Sequence, residues 1–137
     1  MTILDLQTIR YINLLDSASK VKTSKCFVYN NTIFFAVPAS QVSRAIGPNA
    51  INIRNIQDKL GKKVKVITEA SGQEDIVRFV QDIIAPVRFM GAKIQDGVFV
   101  ITAGSQSKAA LIGRNRRREE ELQQIVKDTF SLEMKIL

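Results

Sequence analysis

The sequence predicts an α+β fold in which one small unit, ordered α-β-β-α-α-β, is used twice, each copy a three-stranded sheet packed by helices. Three observations lead to this. The two halves align at an offset of 66 residues, where Ile46-Gly47 recurs as Ile112-Gly113, Asn49 as Asn115, Ile56 as Leu122 and Leu60 as Val126. At the same offset Asn30-Asn31 falls opposite Asp96-Gly97, and both dipeptides tolerate the positive φ of a two-residue hairpin turn. Helical and strand periods of apolar residues also follow one another in the same order in each half.

In the first half, Thr2-x-x-Asp5 resembles a capping box, and Leu6, Ile9, Ile12 and Leu15 recur at nearly one helical turn, which predicts a helix to about Asp16. Strands follow over Cys26 to Tyr29 and Thr32 to Val37; the second is apolar throughout, as an interior strand would be, and Pro38 stops it. A short helix over Ser40 to Ile46 breaks at Gly47-Pro48. The next carries Ile53, Ile56 and Leu60 and stops at Gly61, and Val64 and Val66 mark a third strand.

The second half repeats the series. A helix spans Gln73 to Ile84 and ends before Pro86, and a hairpin pairs Val87 to Gln95 with Val98 to Ala103. The helix, glycine, helix passage returns, and Phe130, Leu132, Met134 and Ile136 alternate along a last strand. The only seam is Glu69 to Gln73, which sets domains at 1–69 and 70–137.

Composition narrows the chemistry. The 137 residues are 45% hydrophobic and 24% charged, with seven glycines, the balance of an ordinary globular chain. There is no His and one Cys, which removes Ser-His-Asp and Cys-His nucleophile systems and nearly all transition-metal sites, so neither enzyme nor metal nor cofactor is expected. The lone Cys26 reads as a small buried apolar residue in a reducing compartment. No apolar run nears the ~20 residues of a membrane span, and Thr2-Ile3-Leu4-Asp5 lacks the basic start of a secretory leader. A soluble cytoplasmic protein with no membrane partner is the expectation. The formal net charge of +7 makes a polyanion, and nucleic acid first, the expected partner. That excess lies chiefly before Ala70, +6 against +1.

The most distinctive repeated passage is a helix ending in Ile-Gly, a tight loop, and a helix beginning at once, in Ala45-Ile46-Gly47-Pro48-Asn49-Ala50-Ile51 and Leu111-Ile112-Gly113-Arg114-Asn115-Arg116-Arg117. Such a loop exposes backbone N–H groups at a helix start, where a phosphate is favoured, and a glycine lets a sugar-phosphate chain come close. A single loop of this kind is more often only a helix-helix turn; two, in matching units of a basic chain, favour the phosphate reading.

The element order and the Ile-Gly loop resemble the type II KH domain, whose Gly-x-x-Gly loop clamps a single-stranded nucleic-acid backbone. Two units end to end, with Ala-Ile-Gly-Pro-Asn-Ala-Ile-Asn-Ile followed by Lys59-Leu60-Gly61-Lys62-Lys63-Val64, are similar to the short archaeal form of the NusA transcription factors, over nearly the whole chain. The resemblance implies RNA binding in transcription termination or elongation. It also carries over Gly47 and Gly113 as the leading glycines. Ala50 and Arg116 depart from the motif, standing where its second glycine would be, and Pro48 removes a backbone donor.

The candidate RNA-binding residues are therefore Gly47, Pro48, Asn49 and Ala50, with Arg44 and Arg54 beside them, and Gly113, Arg114, Asn115, Arg116 and Arg117, with Lys108. Lys62, Lys63 and Lys65 extend the first basic surface. Arginines at the positive end of a helix are unfavourable unless offset. The i,i+4 pairs Arg116–Glu120 and Arg117–Glu121 are one offset, and a bound phosphate chain is the other. Glu119, Glu120 and Glu121 read as a solvated helix face. Ile46, Ile51, Ile53 and Ile112 are candidates for an apolar base groove as well as for core, and Phe27, Phe34, Phe35, Phe99 and Phe130 read as core residues on strands. The leading function is a non-enzymatic protein that holds single-stranded RNA, the nascent transcript, across two KH units, with RNA polymerase as a further partner. The alternative is an adapter of degenerate KH units that docks on polymerase or another transcription factor.

Overall fold

A computed structural model describes residues 6–23 and 25–137; the capping box at Thr2 to Asp5 lies outside them. The chain forms two compact units, Met1–Glu69 and Ala70–Leu137. The first contains α1 (Leu6–Ser19), β1 (Lys25–Tyr29), β2 (Thr32–Val37), α2 (Val42–Ile46), α3 (Ile51–Leu60) and β3 (Lys63–Thr68). The second contains α4 (Ile76–Ile84), β4 (Gly91–Gln95), β5 (Val98–Thr102), α5 (Ser105–Ile112), α6 (Arg117–Phe130) and β6 (Glu133–Ile136).

Each unit has a three-stranded mixed sheet, β1-β2-β3 and β4-β5-β6. The first two strands pair antiparallel in each, with Phe27 opposite Phe34 and Ile94 opposite Phe99. Asn30 (φ 49) with Asn31 (φ 59), and Asp96 (φ 53) with Gly97 (φ 75), supply the positive-φ pairs that let two residues reverse a right-twisted ribbon. The third strand runs parallel to the second, Ile33 beside Val64 and Phe99 beside Met134. A parallel neighbour requires a crossover, and the two helices around the Ile-Gly loop provide it in each unit. The loop thus sits on the one connection the topology cannot shorten to a hairpin. Central strand β2 is buried at all six positions, whereas β5 buries Phe99 and Ile101 and leaves Thr102 exposed.

The core of the first unit gathers Tyr11, Leu15, Val21, Ile33, Phe35, Val37, Ala45, Ile56 and Val64. Helix α1 runs three residues past Asp16 and buries Tyr11, Leu15 and Ser19, spaced by four, while Leu6 is 87% and Ile9 41% exposed. Of the expected stripe Leu15 is buried and Ile12 half-buried, whereas its first turn, Leu6 and Ile9, faces outward. Tyr11 and Ser19 could replace it because their polar atoms are satisfied: Gln7 Nε2 donates to the Tyr11 hydroxyl (2.6 Å), and Ser19 Oγ donates to the Leu15 carbonyl (2.7 Å). Lys20, at φ 64, ends the helix. Cys26 packs against this core but is half-buried rather than buried, since β1 is an edge strand.

In the second unit α4 buries Ile76, Phe79, Val80, Ile83 and Ile84, and Phe79 meets Phe130 edge to face at 5.5 Å. Two expected boundaries move. Strand β4 starts at Gly91 rather than Val87, because β5 ends at Thr102, the partner of Gly91, and no strand remains for earlier residues to pair with. Phe130 is the last residue of α6 rather than part of the final strand. Ser131, left-handed at φ 58, stops that helix as Gly61 (φ 65) stops α3. Leu132, Met134 and Ile136 stay buried as expected. Among the described residues no helix is long and apolar enough to cross a membrane.

Candidate nucleic-acid interface

Both Ile-Gly loops adopt the same backbone. Gly47 has φ 80, ψ 166 and Gly113 φ 73, ψ 176; Asn49 and Asn115 follow at φ 54, ψ 29 and φ 56, ψ 28, and Ala50 and Arg116 at φ 60, ψ 30 and φ 60, ψ 21. Helices α3 and α6 begin at the next residue. The leading position lies in a region open essentially to glycine alone. Asn tolerates the left-handed region at the third position because its short side chain bonds locally. Ala50 and Arg116 occupy it at a cost of about 1–2 kcal/mol each, which is the physical reason a second glycine would suit the fourth position. Replacing Ala50 by Gly is expected to raise the unfolding free energy by about 0.5–1 kcal/mol, the relieved strain less the greater freedom of the unfolded chain; denaturant melts of the two proteins measure it.

The loops spend some donors on themselves. Gly47 N–H bonds to Ser43 O (2.9 Å) and Ala50 N–H to Gly47 O (3.0 Å), and Gly113 and Arg116 repeat the pattern at 3.0 and 3.3 Å. The amide of Asn49, and those of Arg114 and Asn115, are not used by the loops' own carbonyls. Pro48 accordingly costs the first loop one donor that the second retains.

Asn52 was not anticipated at this site, and Arg118, expected with Arg114, Arg116 and Arg117 among the arginines a phosphate would offset, makes a contact within the protein instead. Asn52 Nδ2 donates to the Arg44 carbonyl (3.1 Å), and Arg118 Nη1 to the Ala110 carbonyl (3.3 Å). Each is the second residue of its helix and reaches back to an orphan carbonyl of the helix before it. Each also passes over the glycine: a Cβ on Gly47 would lie 2.7 Å from Asn52 Nδ2, and one on Gly113 2.9 Å from Arg118 Cγ. The offset of 66 residues relates Asn52 to Arg118 and was the available signal; the different side chains concealed it.

Around the first loop Pro48 and Asn49 are exposed and Ala50 is half-buried; Arg44 and Arg54 stand exposed on the flanking helices. Ile51, the first residue of α3, is 47% exposed, while Ile46, Ile53 and Ile112 are half-buried. Lys63 and Lys65 are exposed on β3 and Lys62 is half-buried. Around the second loop Arg114, Asn115, Arg116 and Arg117 are all exposed. Lys108 is half-buried on α5, set back from Gly113 by about 7 Å of helix.

Arg116 pairs with Glu119 rather than Glu120, Nε to Oε1 at 2.8 Å. Arg116 precedes the helix in a left-handed conformation, from which its side chain meets the third helical residue instead of the fourth. Glu119 is correspondingly buried, at 6% exposure, and does not belong to a solvated face. Among the described residues no group of His, Cys, Asp and Glu could hold a metal ion.

A family model for the KH domain matches residues 32–81, from β2 through the first loop and β3 into α4. The chain is 22% identical over 128 residues to a protein of Halococcus morrhuae named probable transcription termination protein NusA, covering 91% of this chain and 90% of that one. Proteins of the same name from Methanocaldococcus jannaschii and Methanococcus vannielii are 24% identical over 128 residues and 28% identical over 105. The chain spans 68% and 54% of their lengths. The crystal structure of APE1850 superposes with a TM-score of 0.65 at 25% identity, over 96% of this chain and 98% of that one. These similarities run along a chain that builds one α-β-β-α-α-β unit twice: a KH domain is matched over residues 32–81, and most of the chain is similar to the archaeal proteins named NusA.

Proposed function

We propose that the protein binds single-stranded RNA through its two Ile-Gly loops and acts on the nascent transcript, in the cytoplasm, as a termination or elongation factor without a catalytic step. The observation that carries this reading is the shared loop backbone: the same glycine-led turn, built twice on a basic chain, brings unused amides to the start of a helix, with exposed arginines in the second loop and on the helices flanking the first. The names of the three archaeal relatives support placing that binding in transcription. Two modest sites that engage one strand also gain from effective concentration, which suits a long flexible ligand.

The test is the affinity of the whole protein for a labelled single-stranded RNA and a matched DNA as salt is raised. Log K falling linearly with log salt, with RNA preferred, is expected. No measurable affinity at low salt overturns the reading. One observation favours a second reading: the first loop has no charged residue and is followed by the 47% exposed Ile51, a surface equally suited to a protein partner. Polymerase binding that survives RNase, in a protein with no RNA affinity, would establish that adapter role.

A further inference from the structure

The two loops share a backbone, and at two positions where the first has apolar residues the second has an ion pair. At the fourth loop position and the third helical residue the first unit has Ala50 and Ile53, and the second has Arg116 and Glu119. Ile53 packs half-buried against the core. Glu119, its counterpart, is a carboxylate at 6% exposure, and Arg116 Nε is its side-chain partner among the described residues. Burying a carboxylate is unfavourable, and a partner whose own side chain is 71% exposed returns little of that in stability. The first unit builds the same turn without either charge, so folding does not require the pair.

The pair does constrain the guanidinium. With Nε held by Glu119, the long Arg116 side chain loses much of its rotational freedom, and its two terminal nitrogens have no partner among the described residues. A fixed guanidinium fork is matched to the oxygens of a phosphate. We propose that Glu119 is a positioning residue that holds Arg116 at the second loop as a receptor for one phosphodiester of a single-stranded nucleic acid, a side-chain clamp in the place where a second glycine would allow a backbone one. The proposal rests on the RNA-binding reading above.

The test exploits an opposition of signs. By simple Coulomb attraction, removing an acidic residue beside the loop should tighten RNA binding; if Glu119 positions Arg116, removing it should weaken binding. Glu119→Ile installs the residue that the first unit already carries there, so the fold is expected to persist, as circular dichroism will record. Its affinity for single-stranded RNA near 0.1 M salt should fall about three- to fivefold, and the slope of log K against log salt should shrink by about 0.7, one phosphate contact on a single strand. Glu119→Gln keeps an oxygen acceptor for Nε and should restore at least half of the lost affinity. In an Arg116→Ala background Glu119→Ile should have no further effect. Should Glu119→Ile fail to fold, Arg116→Lys decides: it keeps the charge without the fork, and a threefold loss is expected. Tighter or unchanged binding by Glu119→Ile, or undiminished binding by Arg116→Lys, overturns the proposal while wild-type binding upholds the RNA reading. Absence of RNA binding by the wild type overturns that reading, and this proposal with it.

Discussion

Replacing Gly47 and Gly113 together by Asp is expected to lower single-stranded RNA affinity by at least tenfold, about 1.4 kcal/mol. Three effects act in one direction. Both glycines hold a backbone conformation that costs a side-chain-bearing residue about 1–3 kcal/mol, so each loop would rearrange. The new Cβ would also displace Asn52 at Gly47 and Arg118 at Gly113, releasing the bonds from Asn52 to the Arg44 carbonyl and from Arg118 to the Ala110 carbonyl that join the paired helices. Finally, a carboxylate would enter the path proposed for a phosphate. Glycine-to-Ala variants at the same two positions separate these effects, because they strain the loop without adding charge; the difference between the Asp and Ala proteins reads the electrostatic part. Titration of labelled RNA, with a denaturant melt of each variant, makes the comparison. A loss of no more than twofold in the Asp protein would show that the loops do not carry RNA.

Changing Arg114, Arg116 and Arg117 together to Ala should reduce RNA affinity even more at low salt. Each phosphate contact on a single strand contributes about 0.7 to the slope of log K against log salt, so three contacts contribute about 2, or roughly a hundredfold in affinity between 1 M and 0.1 M salt. All three side chains are exposed and flank the start of α6, where cations oppose the helix dipole and gain most from an incoming anion. The same change at Arg44 and Arg54 should have a smaller effect, because the first loop itself carries no charge. A salt titration of both variants checks the ordering. Weak binding that ignores the second-loop arginines would instead favour docking on polymerase.

The order of elements was legible in the sequence because the signals that set it are local. Asn30-Asn31 and Asp96-Gly97 reverse the chain through their own backbone preferences, Gly61 ends its helix for the same reason, and the Ile-Gly loops could be matched by counting residues. The leading glycines of the candidate site were found in this way. The contacts of Asn52 and Arg118 were not, since neither residue type announces that it will reach back to a carbonyl eight residues earlier. The burial of Glu119 was hidden in a run of three acids that is ordinarily solvated.

The sequence by itself determined the repeated unit, its two hairpin turns and the helix stops at Gly47, Gly61 and Gly113, because those depend on φ preferences and on periodicity within a few residues. Tertiary structure decided which face of α1 is buried and whether Phe130 belongs to a helix or a strand. On α1 the expected stripe of Leu6, Ile9, Ile12 and Leu15 and the stripe of Tyr11, Leu15 and Ser19 share Leu15 and both have helical spacing, and the second is buried against the first unit's core. Such choices depend on neighbours distant in the chain, whose apolar surface and hydrogen-bonding groups must be satisfied together, and no local pattern contains that information.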